Sequence, residues 1–98
     1  MSKVIIAAAK RTPIGSFQGQ FSEVPADDLG AAAIAGAVEQ AGIDVNEIDD
    51  VIMGCVLPAG VGQAPARLAS RKAGIPVSAG ALTVNKACSS GLIAIMSP

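Results

Sequence analysis

Residues 81–98 read ALTVNKACSSGLIAIMSP, and Cys88 stands where a short apolar run passes through a polar turn into a helix-forming segment. That placement suits a thiolate nucleophile. Unpaired N–H groups and the positive end of a helix dipole stabilise a sulfur anion and can hold an oxyanion formed beside it. The small residues Ser89, Ser90 and Gly91 keep the sulfur accessible, as at other strand-turn-helix nucleophiles. A buried structural cysteine would fit the same pattern, and the residues alone leave both readings open. The chain has no histidine to act as the thiol's base.

Two other features invite a chemical reading. Cys55 lies in the apolar run VIMGCVL, where a small core hydrophobe is the expectation, although a position near a strand end can line a pocket. Gly60-x-Gly62 falls between an expected strand and an expected helix, as a dinucleotide fingerprint would. The third glycine position holds Pro65, however, and no acid follows Asp50 to take a ribose hydroxyl. A turn needing close backbone approach is expected there.

The elements that must position Cys88 follow from pattern. Lys3–Ala9 is an apolar run of the kind buried on both faces of a sheet. Pro25, Asp27 and Asp28 suit the first turn of a helix running to about Gly42, apolar on nearly all sides and so expected between layers. Residues 44–50 form a polar connector, 51–57 a second strand, 66–73 a helix stopped by Gly74 and Pro76, and 80–84 a third strand. Cys88 then opens the last helix, which stops at Pro98. The alternation predicts an α/β fold, a parallel β-α-β-α-β-α arrangement with all three strands parallel.

Composition narrows the function classes. The 98 residues are 51% hydrophobic with two aromatic side chains, both Phe, so the core is built from Ala, Val, Ile and Leu. All eight acids lie between Glu23 and Asp50, while Arg67, Arg71, Lys72 and Lys86 are the only charges after Val51. Such a basic half meets an anionic ligand or an acidic surface of another segment. It lacks the aromatics and the dense basic stripe of a nucleic-acid binder. Two cysteines make no disulfide framework and the N-terminus does not read as a signal peptide, so a cytoplasmic location is expected. Glycines and prolines break the longest uncharged stretch, so no membrane partner is expected.

The stretches KVIIAAAKRTPIGSFQG, PADDLGAAAIAGAVEQAGI, VIMGCVLPAGVGQAPARLASRKAGIP and above all VNKACSSGL resemble, collinearly, the N-terminal part of thiolases, the acetyl-CoA acetyltransferase family. The resemblance implies a thiolase-like fold of layered helices and mixed sheet, with residues 1–98 as a truncated part of the N-terminal domain. It implies that Cys88 is the acyl-thioester nucleophile, its own N–H contributing to an oxyanion hole. The chemistry would be condensation of two acetyl-CoA to acetoacetyl-CoA and the reverse thiolysis. Coenzyme A thioesters would serve as substrates, with no permanently bound cofactor and no metal. The family's activating histidine, second catalytic cysteine and most coenzyme A contacts come from later segments. The implied partners are therefore the remainder of a thiolase chain or a complementing chain, in a dimer or tetramer, and the lone chain is expected to be inactive. A ketoacyl or hydroxymethylglutaryl synthase also places a cysteine at such a turn, but RTPIG and GQAPAR favour a thiolase. The resemblance is also compatible with 3-ketoacyl-CoA thiolase chemistry on longer chains, and a fragment of this kind could instead serve a non-catalytic assembly role.

Overall fold

The structure, a computed structural model, describes residues 3–97. Helix α1 spans Ala26–Ala41 and opens at Pro25, whose carbonyl accepts the N–H groups of Asp28 and Leu29. It closes at Gly42, whose left-handed φ of 69° lets its N–H reach the carbonyls of Val38 and Glu39. A 3-10 turn at Val45–Glu47 follows, capped by the Asp44 carboxylate, which accepts from the Asn46 N–H at 2.9 Å.

Strand β1 covers Asp50–Gly54, α2 Pro65–Lys72, β2 Gly80–Val84 and α3 Ser90–Met96. The two strands pair in parallel with Asp50 opposite Gly80 and Gly54 opposite Val84, and the Cys55 N–H continues the ladder onto the Val84 carbonyl at 2.9 Å. Helix α2 is the crossover between them. The Thr83 hydroxyl accepts the Ala66 N–H at 3.0 Å, tying the start of that helix to β2. Val51, Ile75 and Ala79 form the buried core, against which Ile34, Val38, Val45, Ile48, Met53 and Ala73 pack.

Four expectations need correction. Residues 3–9 form no strand, so the described order is α-β-α-β-α, with a two-stranded parallel sheet. Val4, Ile5 and Ile6 are each at least 78% exposed, and the run lies beside α1, where the Gln40 side-chain carbonyl accepts the Ala9 N–H at 2.9 Å. An apolar run is suited to burial but does not itself supply a cover. Second, α1 is not enclosed between layers: Ala31 and Asp27 are buried while Ala32 and Ala35 face out. Third, β1 ends at Gly54, short of Leu57. Fourth, α3 starts two residues after Cys88. The expected stop at Pro98 lies outside the described residues. Among the described residues, no helix is long and apolar enough to cross a membrane.

Candidate functional site

Because β1 and β2 run in parallel, both carboxyl ends open on the same side, the side on which parallel α/β sheets place their ligand sites. Residues 85–89 leave β2 there and turn into α3. Ala87 has φ of 47°, in the left-handed region that costs a residue with a Cβ about 1–2 kcal/mol. Something must hold it, and the neighbouring side chains do.

The Asn85 carboxamide works in two directions. Its oxygen accepts the Ala87 N–H at 3.0 Å, and its NH₂ donates to the Val56 carbonyl at 3.2 Å, which fastens the turn to the segment leaving β1. The Ser90 hydroxyl donates to the Ala87 carbonyl at 2.7 Å and accepts the Lys86 N–H at 2.8 Å. Ser90 is only 3% exposed. The Ser89 N–H reaches the Lys86 carbonyl at 3.0 Å and the Ser90 N–H the Ala87 carbonyl at 3.1 Å, completing a tight loop around residues 86–90. Cys88 projects from this loop as an exposed, free thiol. It stands one position before the helix-capping Ser89, so it belongs to the turn and not, as expected, to the first turn of α3.

Gly54 seats this assembly. A Cβ on it would lie 2.5 Å from the Ser90 carbonyl carbon and 2.6 Å from the Gly91 nitrogen, so β1 and α3 meet at their backbones. Neither Gly54 nor the two-sided role of Ser90 stood out as functional from residue types and spacing. A glycine inside a strand run is nonetheless the available signal for close approach.

Cys55 is half-buried and, with Asp27, Met53, Pro65 and Ala69, lines a cavity of about 60 Å³. Both expectations for it therefore meet: a mostly packed residue that also borders a small void. A larger cavity, about 560 Å³, is lined by Glu47, Asp49, Asp50 and Ala94 among others, at the opposite end of β1 from Cys88. Gly60 and Gly62 have φ of 78° and 103°, and a Cβ on Gly62 would strike the Leu68 side chain at 2.7 Å, consistent with a close turn.

The basic half of the chain is partly spent within the fold. Lys72, at the end of α2, lies 2.5 Å from carboxylate oxygens of both Asp27 and Asp28 in the first turn of α1. The hydrogen bond from Lys72 holds the Asp27 carboxyl below its usual range, and the two carboxylates, Asp27 first, hold the Lys72 ammonium above its own. Arg71 donates to the Ile75 carbonyl at 3.3 Å. Among the described residues, no group of three or more His, Cys, Asp or Glu side chains is arranged to hold a metal ion.

Residues 4–98 match the family described as thiolase, N-terminal domain. The chain is 54% identical over 95 residues to an acetyl-CoA acetyltransferase of Pseudomonas aeruginosa, covering 97% of this chain and 24% of that protein. A mitochondrial acetyl-CoA acetyltransferase of Danio rerio is 53% identical over 96 residues, covering 98% of this chain and 23% of its own length. A probable acetyl-CoA acyltransferase of Staphylococcus aureus is 54% identical over 95 residues, covering 97% and 24%. The chain thus spans about a quarter of the length of these relatives. By a match that runs nearly from end to end, it belongs to the thiolase family, through that family's N-terminal domain.

Proposed function

We propose that this chain supplies the nucleophile of a thiolase-type acyltransferase that condenses two acetyl-CoA to acetoacetyl-CoA and catalyses the reverse thiolysis. The Cys88 thiolate attacks the thioester carbonyl, forming a tetrahedral oxyanion. Collapse of that intermediate breaks the bond to the coenzyme A sulfur, which leaves and takes a proton, and the acetyl group stays on Cys88 as a thioester. In the second half, the carbanion of another acetyl-CoA, or a coenzyme A thiolate in the reverse direction, attacks that thioester and frees Cys88. The observation that carries the reading is an exposed thiol at the carboxyl ends of two parallel strands, on a turn held left-handed by hydrogen bonds. The names of the relatives support acetyl groups and coenzyme A as the substrate class.

The sequence holds no histidine, and in this reading the base and acid of a full cycle come from other polypeptide. The exposed side chains of Val4, Ile5, Ile6, Leu57, Leu82 and Ile95 offer apolar surface that further thiolase sequence, or a complementing chain, would cover. A cytoplasmic dimer or tetramer is the assembly proposed. Incubation with radiolabelled acetyl-CoA, followed by peptide mapping, tests the nucleophile: label is expected on the Cys88 peptide. Label on Cys55 and none on Cys88 would sink the assignment.

A further inference from the structure

The family and the chemistry leave open what aims the thiol, and the hydrogen bonds around it answer that. We infer that Ser90 is the positioning residue of the site: its hydroxyl holds Ala87 in the left-handed conformation and so sets the direction in which Cys88 is presented. This rests on Cys88 being the acyl acceptor. Ser90 does not touch substrate in this role; it acts through the turn.

Three independent features converge on it. Its Oγ is satisfied on both sides, accepting from the Lys86 N–H at 2.8 Å and donating to the Ala87 carbonyl at 2.7 Å, so it ties the carbonyl of the strained residue back to the amide that opens the turn. It is 3% exposed, with its backbone seated against Gly54, so the grip stands on the sheet and not on a mobile surface side chain. Cys88 is exposed, and no side-chain hydrogen bond to its sulfur occurs among the described residues, so its direction is inherited from its backbone. The Asn85 oxygen assists from the N-terminal side through the Ala87 N–H but does not reach the Ala87 carbonyl, which is the half of the turn leading into Cys88. Without the Ser90 hydroxyl, left-handed Ala87 keeps the Asn85 bond to its N–H and the Ser90 N–H on its carbonyl but loses the shortest bond of the turn and the tie to Lys86, and an extended Ala87 would swing the following residue away.

The test compares the 98-residue chain with Ser90→Ala and with Ser90→Ala/Ala87→Gly. Carbon chemical shifts of residue 87 report its backbone conformation, and amide exchange reports the Lys86 N–H. In Ser90→Ala, Ala87 is expected to lose its left-handed shifts, and Lys86 to exchange roughly fivefold faster or more. Acetyl transfer from acetyl-CoA to Cys88, which needs an aligned thiol, should fall about tenfold or more. Alkylation of Cys88 by iodoacetamide, a small reagent with little orientational demand, should stay within about twofold of the parent chain. Glycine takes the left-handed conformation at little cost, so the double variant should recover most of the acetyl transfer. Unchanged shifts and exchange in Ser90→Ala would overturn the inference, as would acetylation and alkylation falling together without rescue by Ala87→Gly. If the parent chain acquires no acetyl group on Cys88, the nucleophile reading fails, while the shifts and exchange still decide whether Ser90 holds the turn.

Discussion

Gly54 and Ser90 meet backbone against backbone: the space a Cβ of Gly54 would need is filled by the carbonyl carbon of Ser90, 2.5 Å away. Gly54→Ala must push β1 and α3 apart. The expected result is a loss of about 1–3 kcal/mol in urea unfolding, the range for inserting an atom into a closed contact. A variant as stable as the parent would show that the two backbones separate freely.

For the two thiols, the expectation differs sharply. In an assembly with complementing thiolase sequence, Cys88→Ala should reduce acyl transfer to background with little change in folding, because an exposed side chain loses one atom. Cys55→Ala enlarges a small void and should lower stability by about 1 kcal/mol while leaving most activity. Steady-state thiolysis and thermal melts of both variants decide it, and equal losses of activity would contradict the division of roles.

The Lys72 clamp on Asp27 and Asp28 gives a pH prediction whose sign is fixed. Asp27 titrates below its ordinary value in the fold, so its contribution is present above the usual aspartate range and fades as pH falls through the lowered value. Lys72 titrates above its ordinary value, so its contribution is complete below the usual lysine range and fades as pH rises through the raised value. The stability difference between the parent and Lys72→Met should therefore be flat near neutrality and shrink at both extremes. Denaturant midpoints measured across pH check this, and a difference independent of pH would rule it out.

Two fully buried side chains predict opposite outcomes. Ile75 is 1% exposed in the core cluster, so Ile75→Ala should cost about 2–5 kcal/mol, enough to unfold much of a chain this small. The Ser70 hydroxyl is buried with no hydrogen-bond partner among the described residues, so Ser70→Ala should be neutral or stabilising by up to about 1 kcal/mol. Circular dichroism melts distinguish them, and a strongly destabilised Ser70→Ala would reveal a partner for that hydroxyl.

Turnover by the 98-residue chain alone should be absent. General acid and base groups each contribute typically about 10²–10⁴-fold, and the chain has no histidine and only one thiol besides Cys88. Thiolysis of acetoacetyl-CoA by the purified chain is expected at the uncatalysed rate; measurable turnover abolished by Cys88→Ala would refute this.

Much of this was legible in the sequence because the forces concerned act within a few residues. Gly42 ends α1 where a residue free to adopt positive φ was needed, Pro65 and Lys72 bracket α2 within a residue of expectation, and Gly80–Val84 forms the strand its residues indicated. Cys88 drew notice through its local context, and the collinear thiolase stretches carried the family. Tertiary structure alone decided that the apolar Val4–Ile6 run stays exposed, that Lys72 crosses 44 positions to Asp28, and that Gly54 underlies Ser90. Hydropathy records a side chain's tendency to leave water but not which surface receives it. Ion pairs and backbone contacts between distant segments exist only after chain closure has set the helices at a particular distance and angle. The Ser90 hydroxyl itself reaches only three and four positions back, to the Ala87 carbonyl and the Lys86 N–H; what chain closure adds is the Gly54 backbone against which Ser90 is seated.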